Sequence, residues 1–565
     1  MRAAILLAVC VPLFLQGVMV SAQPQEIDLR KVWELKSSLL KEWKFKEIGD
    51  TLLDLARVCY ERQEYEKALI LYYHAMCYYQ KGGFVRDSLS VMDEVFSRPW
   101  PAEEVTSGDV PYFLYGFVKV RMVTALMSGD LVEAKELANV LEETLETGRF
   151  SYGSVNLSLD LKESDQRVLL LYLGKYYWWV GDEAKACEYW SRAAEIYEKG
   201  ARRAWRNTWK VAYAVALYEY CGSEKAKALV EDFTSKFHKR IWRITCGNPS
   251  EHYDEITMYV RFQLYLGNTS EAMRAGELLI KTLTEEGYYY EAFEILTLLG
   301  VFNETLMEIG EKAIRDLEAD LERPEKKYAY GSITWPYLRL AIAGMYLRKP
   351  EFRKYAEEAY KRRIAADNEK VFYSIVLLYW LSAGNVSRAL EVWDKAGKLL
   401  SAWWLAGNWV SPPLNTSWVK VFLEEMASAN KTIAKGEEAA SMLSGEAKAR
   451  ATYLLEEAKK LYREYRFKEA EAKAKEVIKL AEEEKEATML PPTLLVAVIV
   501  IAVLLVWLRN KGKKRSQQAE RAGLSELDDN PDNICKRYTK WLTTGARTCE
   551  LTVHAVQMPY SGVSL

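Results

Sequence analysis

The residues with the most chemistry to offer in this sequence are cationic and aromatic, and they come in two groups. Arg202, Arg203, Trp205, Arg206, Trp209 and Lys210 share one predicted helix, and His238, Lys239, Arg240, Trp242 and Arg243 follow about thirty residues later. An arginine fork grips a carboxylate through two parallel hydrogen bonds, and an indole face accepts a cation, a sugar or a peptide side chain. If the two groups adjoin, they form a site for an acidic peptide or a glycan. If they do not, the tryptophans pack between helices and the arginines pair with neighbouring glutamates. A further concentration, Trp403, Trp404, Trp409 and Trp418 around Pro412-Pro413, holds too much indole to leave in water. It is expected to cap one end of a helical stack.

Little else has the spacing of a catalytic or metal centre. The four histidines, His74, His238, His252 and His554, include no pair one helical turn apart with a glutamate between, the arrangement that holds zinc on a helix. There is no phosphate-cradling Gly-Lys-Ser/Thr loop and no Gly-x-Ser-x-Gly elbow. The commonest hydrolases and nucleotide enzymes are thereby excluded, and no cofactor or metal is implied. An enzyme built from scattered carboxylates stays open. A net charge of −2 over 565 residues gives no general attraction to nucleic acid.

The elements that must position these residues are helices. Through residues 23–435 apolar side chains recur at every third and fourth position, with breaks at Gly82-Gly83, Pro99-Trp100-Pro101 and Pro412-Pro413. Phe150 to Leu161, rich in Ser, Gly and Asn, reads as an ordered loop. The helices come in pairs. Between Leu170 and Tyr197 the first helix carries Leu170, Leu173, Gly174 and Tyr177, a turn falls at Gly181-Asp182, and the second carries Ala186, Trp190 and Ala193. Gly174, Ala186 and Ala193 let two backbones approach while Tyr177 and Trp190 fill the groove beside them. The template returns with Trp380, Gly384, Ala389, Trp393 and Ala396. It returns again with Leu55, Ala56, Ala68, Tyr72 and Ala75, where Cys59 stands in the aromatic place. Looser copies centre on Gly129 and Gly267. This pattern resembles the tetratricopeptide repeat. The resemblance implies an all-α fold, an α-solenoid of stacked helix hairpins with an extended inner face for a partner.

The flanks give an address. Residues 1–22 read as a secretory leader, with Arg2, an apolar run and the small residues Val20-Ser21-Ala22. Residues 436–488, rich in Ala, Glu and Lys, read as a helical membrane-proximal stalk, with a repeat-like hairpin through Leu454, Leu461, Ala470 and Ala474 as the alternative. Residues 489–508 form an uncharged stretch expected to cross a bilayer core of about 30 Å. Arg509, Lys511, Lys513, Lys514 and Arg515 follow it, and such cations mark the cytoplasmic flank. Residues 509–565 then form a cytoplasmic, disordered tail. Asn156, Asn268, Asn303, Asn385, Asn415 and Asn430 are glycosylation acceptors by sequence, all on the outer side. Of the eight cysteines, Cys59, Cys77, Cys187, Cys221 and Cys246 lie outside the cell on this reading, and Cys221 with Cys246 is the first pair to test. Glutamine is scarce between Gln23 and Thr488 while Lys, Glu and Arg abound, a bias of proteins from hot environments that points to a prokaryote, archaea above all.

The expected function is a membrane-anchored, extracellular scaffold at the cell surface, without enzymatic activity, whose partner is an envelope protein, a peptide or a glycan. Two alternatives remain: a carbohydrate enzyme on a closed (α/α) ring, with two carboxylates across its mouth, and a structural component of the envelope.

Overall fold

The computed structural model describes residues 29–41, 44–101, 110–203, 208–245, 250–301, 303–322, 334–363, 369–406, 416–488 and 492–521. Among the described residues there are 22 α-helices. In chain order they are α1 (Leu29–Lys41), α2 (Phe45–Glu61), α3 (Tyr65–Lys81), α4 (Val85–Ser97), α5 (Val110–Ser128) and α6 (Leu131–Thr147). Then come α7 (Glu163–Trp179), α8 (Glu183–Arg203), α9 (Thr208–Tyr220), α10 (Lys225–Thr245), α11 (Tyr253–Tyr265), α12 (Thr269–Glu285), α13 (Tyr289–Leu298) and α14 (Glu304–Glu322). The last are α15 (Trp335–Tyr346), α16 (Phe352–Lys361), α17 (Glu369–Ser382), α18 (Val386–Ala406), α19 (Thr416–Met442), α20 (Gly445–Arg463), α21 (Phe467–Thr488) and α22 (Pro492–Arg521). The chain forms two compact units, Met1–Glu482 and Glu483–Leu565.

Several hairpins of the first unit are built by the same local devices: a glycine turn ends the first helix, and an Asp or Asn then caps the second. Gly181 sits at φ +90°, where a side chain would be strained. Asp182 beside it accepts from the Lys185 amide at 3.0 Å. Asp130 does the same for Glu133 at 3.0 Å and Asn385 for Arg388 at 3.1 Å. The two helices of a pair then differ in character. The first ones, such as α9, α11, α13 and α15, are buried nearly all round, while the second ones bury one stripe. Where the repeat pattern is strongest, packing is tightest. A Cβ on Gly174 would overlap the Trp190 indole, whose Nε1 donates to the Leu171 carbonyl at 3.1 Å. Ala56, Ala68, Ala75, Ala186, Ala193, Ala389 and Ala396 are all fully buried.

Successive helices pack on one another as in a helical repeat, and one core runs from Val32 to Phe467. The stack does not stay open. The α17–α18 hairpin returns across earlier pairs: α18 packs on α9 and α11, and α17 reaches α5. Trp178 and Trp179 of α7 meet Tyr373 of α17 with ring centres 5.4 and 5.1 Å apart. The continuous inner face expected of a solenoid is therefore filled at this point. The α20–α21 hairpin, within the stretch expected as a stalk, is also tied back at its turn. The Tyr465 hydroxyl donates to the Ser382 carbonyl at 3.0 Å, and Arg348 donates to the Tyr465 carbonyl at 2.9 Å while pairing with Glu425 at 2.6 Å.

Two further expectations are corrected, and a third is not met among the described residues. Phe150–Leu161 is not only a loop: Arg149–Tyr152 (β1) and Val155–Ser158 (β2) form an antiparallel ribbon with Phe150 opposite Leu157. Its alternation was too short to read, yet Phe150, Val155 and Leu157 all point into the core. The disulfide joins Cys187 to Cys221, not Cys221 to Cys246, because α8 and α9 bring those two α-carbons within 5.5 Å; Cys246 lies outside the described residues. Finally, among the described residues no helix is long and apolar enough to cross a membrane. In the second unit α22 runs on through the basic cluster to Arg521, and its apolar side chains from Val496 to Leu508 are mostly exposed. Those described side chains rise only about 20 Å along a helix. Residues 489–491 lie outside the described ones, as do the leader 1–22 and most of the tail, 522–565.

Candidate anion-binding site

The hairpin return brings five cations and six aromatic rings together, from helices far apart in sequence. On α5, the Lys119 Nζ lies 4.5 Å from the centre of the Tyr112 ring and 5.3 Å from that of Tyr172, and donates to the Tyr112 hydroxyl at 3.3 Å. On α7, Lys175 lies 4.4 Å from the same Tyr172 ring, and Arg167 sits 4.8 Å over Tyr197 and 5.7 Å from Trp209. At the start of α9, Lys210 is 5.5 Å from the Trp209 ring. On α17, Lys370 is seated on the Trp403 indole and 5.4 Å from Tyr213. The rings are continuous with one another. Tyr197 stacks on Tyr213 at 5.0 Å, and Tyr213 meets Trp403 edge-on at 4.9 Å.

Three of these cations are withdrawn from water. Lys119 and Lys175 are each 7% exposed and Lys370 1%. The cluster reaches solvent at two edges, through Tyr112 at 36% and Trp209 at 39%. The Arg167 Nε is shielded and has no hydrogen-bond partner among the described residues. Asp165, two residues before it, is committed to the Tyr115 hydroxyl at 2.6 Å and the Lys162 amide at 3.0 Å. Burial pushes the Tyr197 hydroxyl up to about 12, against the pull of Arg167 and Lys175. A desolvated cation on an aromatic face recovers about 2 kcal/mol, well short of the several kcal/mol that leaving water costs. The donor left for an entering anion is the shielded Arg167 Nε.

A second charged cluster lies on the next first helices. Glu294 of α13 accepts from the Tyr253 hydroxyl of α11. Arg339 of α15 lies 3.5 Å from Glu291 and 4.6 Å over the Tyr290 ring. Arg261 of α11 is buried among them, and the shielded Tyr290 hydroxyl has no hydrogen-bond partner among the described residues. Burial raises the Glu294 carboxyl above its ordinary range, outweighing Arg339 and the Tyr253 hydrogen bond, and the same burial lowers Arg261. Here both signs of charge are present.

The residues singled out from sequence are dispersed. Arg202 and Arg203 end α8, and Trp205 and Arg206 lie outside the described residues. Trp209 and Lys210 enter the cationic cluster at its rim. The second group turns to the next hairpin instead. Arg240 forms a two-pronged pair with Glu255 at 3.0 Å, and the Trp242 Nε1 donates to Glu271 at 2.8 Å beneath the Arg274 guanidinium. Arg243 is exposed. Among the described residues Trp209 and Trp242 share no ring or cation neighbour. Of the tryptophans around Pro412-Pro413, Trp403 lies in the cluster, Trp418 packs on Tyr346 at 4.6 Å, and Trp409 lies outside the described residues. Asn156, Asn268, Asn303, Asn385 and Asn430 are exposed; Asn415 lies outside the described residues.

Lys119, Arg167, Lys175 and Lys370 were missed. Part of the signal was present: Lys119 and Lys175 stand within apolar runs of their helices, where a charge is rarely buried without purpose. No protein family matches the chain, and no curated protein matches it.

Proposed function

We propose that this protein is a membrane-tethered, outward-facing binding protein of tetratricopeptide-like helix pairs, which captures an anionic ligand at the cell surface. The observation that carries it is the gathering of Lys119, Arg167, Lys175 and Lys370 on aromatic rings, with the shielded Arg167 Nε lacking a hydrogen-bond partner among the described residues. The address rests on the apolar stretch 489–508 followed by the basic run from Arg509 to Arg515. The Cys187–Cys221 disulfide supports an oxidising compartment for the first unit. The partner is an acidic protein segment, a peptide or a glycan.

Full-length protein in mild detergent should bind acidic homopolymers, poly-L-glutamate or polygalacturonate, and should release them as salt rises. The Lys119→Met/Arg167→Met double variant should bind at least about tenfold more weakly. Binding of neither polymer, or equal binding by the variant, would reject the site. Protease added to intact cells should digest the first unit; digestion confined to the residues after 515 would reject the orientation.

The return of α17–α18 lends some weight to a second reading, a carbohydrate enzyme on a closed ring. Its pair of carboxylates would have to come from residues such as Glu291 and Glu294. These stand one helical turn apart on a single helix, and each is engaged by Arg339 or Tyr253. Binding without catalysis fits this arrangement better.

A further inference from the structure

We infer that Asn268 carries a covalently attached glycan whose first sugars lie in the cavity beside it; this rests on the outward-facing orientation proposed above. Asn268-Thr269-Ser270 is an acceptor sequence for N-glycosylation. Those three residues, with Gly267, Glu271 and Arg274, line an open cavity of about 570 Å³ where α11 turns into α12. The turn is bare on its outer side: Gly267 sits at φ +78°, and a Cβ there would meet nothing within 4 Å. Asn268 is exposed, and its Nδ2 donates to the Gln263 Oε1 of α11 at 2.8 Å. Asn303 and Asn385, acceptors by sequence too, turn their side-chain oxygens to the first amides of α14 and α18. Asn268 makes no such cap on α12. The Gln263 bond takes one of the two N–H groups of the amide and leaves the other to react. In that step Nδ2 bonds to the anomeric carbon of an activated sugar phosphate and releases one proton, and the phosphate leaves with the electron pair of its C–O bond.

The lining suits a polyol. Each sugar hydroxyl both donates and accepts, so a seat for one sets acceptors beside donors. The Trp242 Nε1, the Tyr259 hydroxyl and the His238 Nδ1 all converge on one oxygen of Glu271, Oε1, at 2.8, 3.0 and 3.2 Å. Its other oxygen, Oε2, has no hydrogen-bond partner among the described residues. Arg274 stands three residues further along α12, a spacing at which acid and base commonly pair. Among the described residues these two do not pair; the guanidinium lies 4.1 Å over the Trp242 ring instead. An acceptor and a fork of donors thus line one cavity, each held in place, so little side-chain freedom is lost when a hydroxyl bridges them. A sugar tethered at Asn268 meets them at high effective concentration, which an open cavity of this kind needs.

The test expresses the full-length chain in a host that glycosylates exported Asn-x-Ser/Thr sites and reads every acceptor by mass spectrometry of its peptides. Asn268 should carry a glycan, and Ser270→Ala, which keeps the asparagine but removes the acceptor sequence, should abolish it. Release by a peptide N-glycosidase from the native protein then reports the seat. Arg274→Ala should speed release from Asn268 about tenfold, the loss expected for hydrogen bonds to a charged group, and leave release from the other acceptors unchanged. Arg274 is exposed, so the variant keeps the fold, and thermal unfolding checks that it does. If other acceptors are modified and Asn268 is bare, this inference is overturned while the outward orientation stands. If no acceptor is modified, the orientation itself falls. If Arg274→Ala leaves release from Asn268 unchanged, the seat in the cavity is overturned.

Discussion

Two neighbouring stretches of the first helices hold charge in opposite ways. Around Tyr172, Tyr197 and Trp403 the charges are positive and each rests on a ring. Around Glu294 both signs occur, with Glu291 and Glu294 against Arg261 and Arg339 and a tyrosine hydroxyl donating to the acid. The second group sets acids against arginines across α11, α13 and α15. The first sets its described cations on aromatic rings. A charge network that balances is evidence about the fold, and one that does not balance is evidence about a ligand.

The largest effect that could break this comparison is on stability. Arg261→Ala removes a buried cation from the balanced cluster and leaves Glu294 with one fewer counter-charge, so it should cost about 3–5 kcal/mol, read by chemical denaturation. A loss below about 1 kcal/mol would mean that the Glu294 cluster does not hold its helices together.

A smaller effect is pH dependence. The folded-state pKa of Glu294 is raised, by burial first, above its unfolded value. Its contribution to stability is therefore present below the ordinary glutamate value, about 4.3. It is lost as pH rises through the higher folded value. The groups facing it are Tyr253 and Arg261 on α11, Glu291 and Tyr290 on its own helix, and Arg339 on α15. Glu294→Gln keeps an acceptor for Tyr253 and removes the titration. The melting temperature of the variant relative to wild type should climb as pH rises above the ordinary glutamate value, about 4.3. A flat difference over that range would place Glu294 in an ordinary environment.

How far the sequence disclosed all this depends on range. Helix pairing was legible because its signals are local. Gly174 against Trp190 and the Asp182 cap lie within one hairpin, and period and turn chemistry report them directly. The α17–α18 return was not legible. It depends on Trp178 meeting Tyr373 and Tyr213 meeting Trp403 across nearly two hundred intervening residues, and no spacing rule reaches so far. The site shared that fate. Arg240 and Trp242 drew attention because they cluster along the chain, yet their partners Glu255 and Glu271 lay on the following hairpin. Lys119, Lys175 and Lys370 are scattered along the chain and converge only in the fold.

The smallest expected effect decides most about the comparison. Lys119 is withdrawn from water, its described hydrogen bond is to the Tyr112 hydroxyl, and it rests on Tyr112 and Tyr172. Methionine has a similar length and volume, needs no desolvated charge, and makes favourable contacts with aromatic rings. If Lys119 serves a ligand, Lys119→Met should leave stability within about 1 kcal/mol of wild type, or raise it, while polyanion affinity falls. Function is then held at the expense of the fold, as expected where a charge is kept buried without a balancing partner. If instead Lys119→Met destabilises the chain as much as Arg261→Ala does, the ring-borne cations are pins between helices. The two clusters would then differ in sign of charge but not in role.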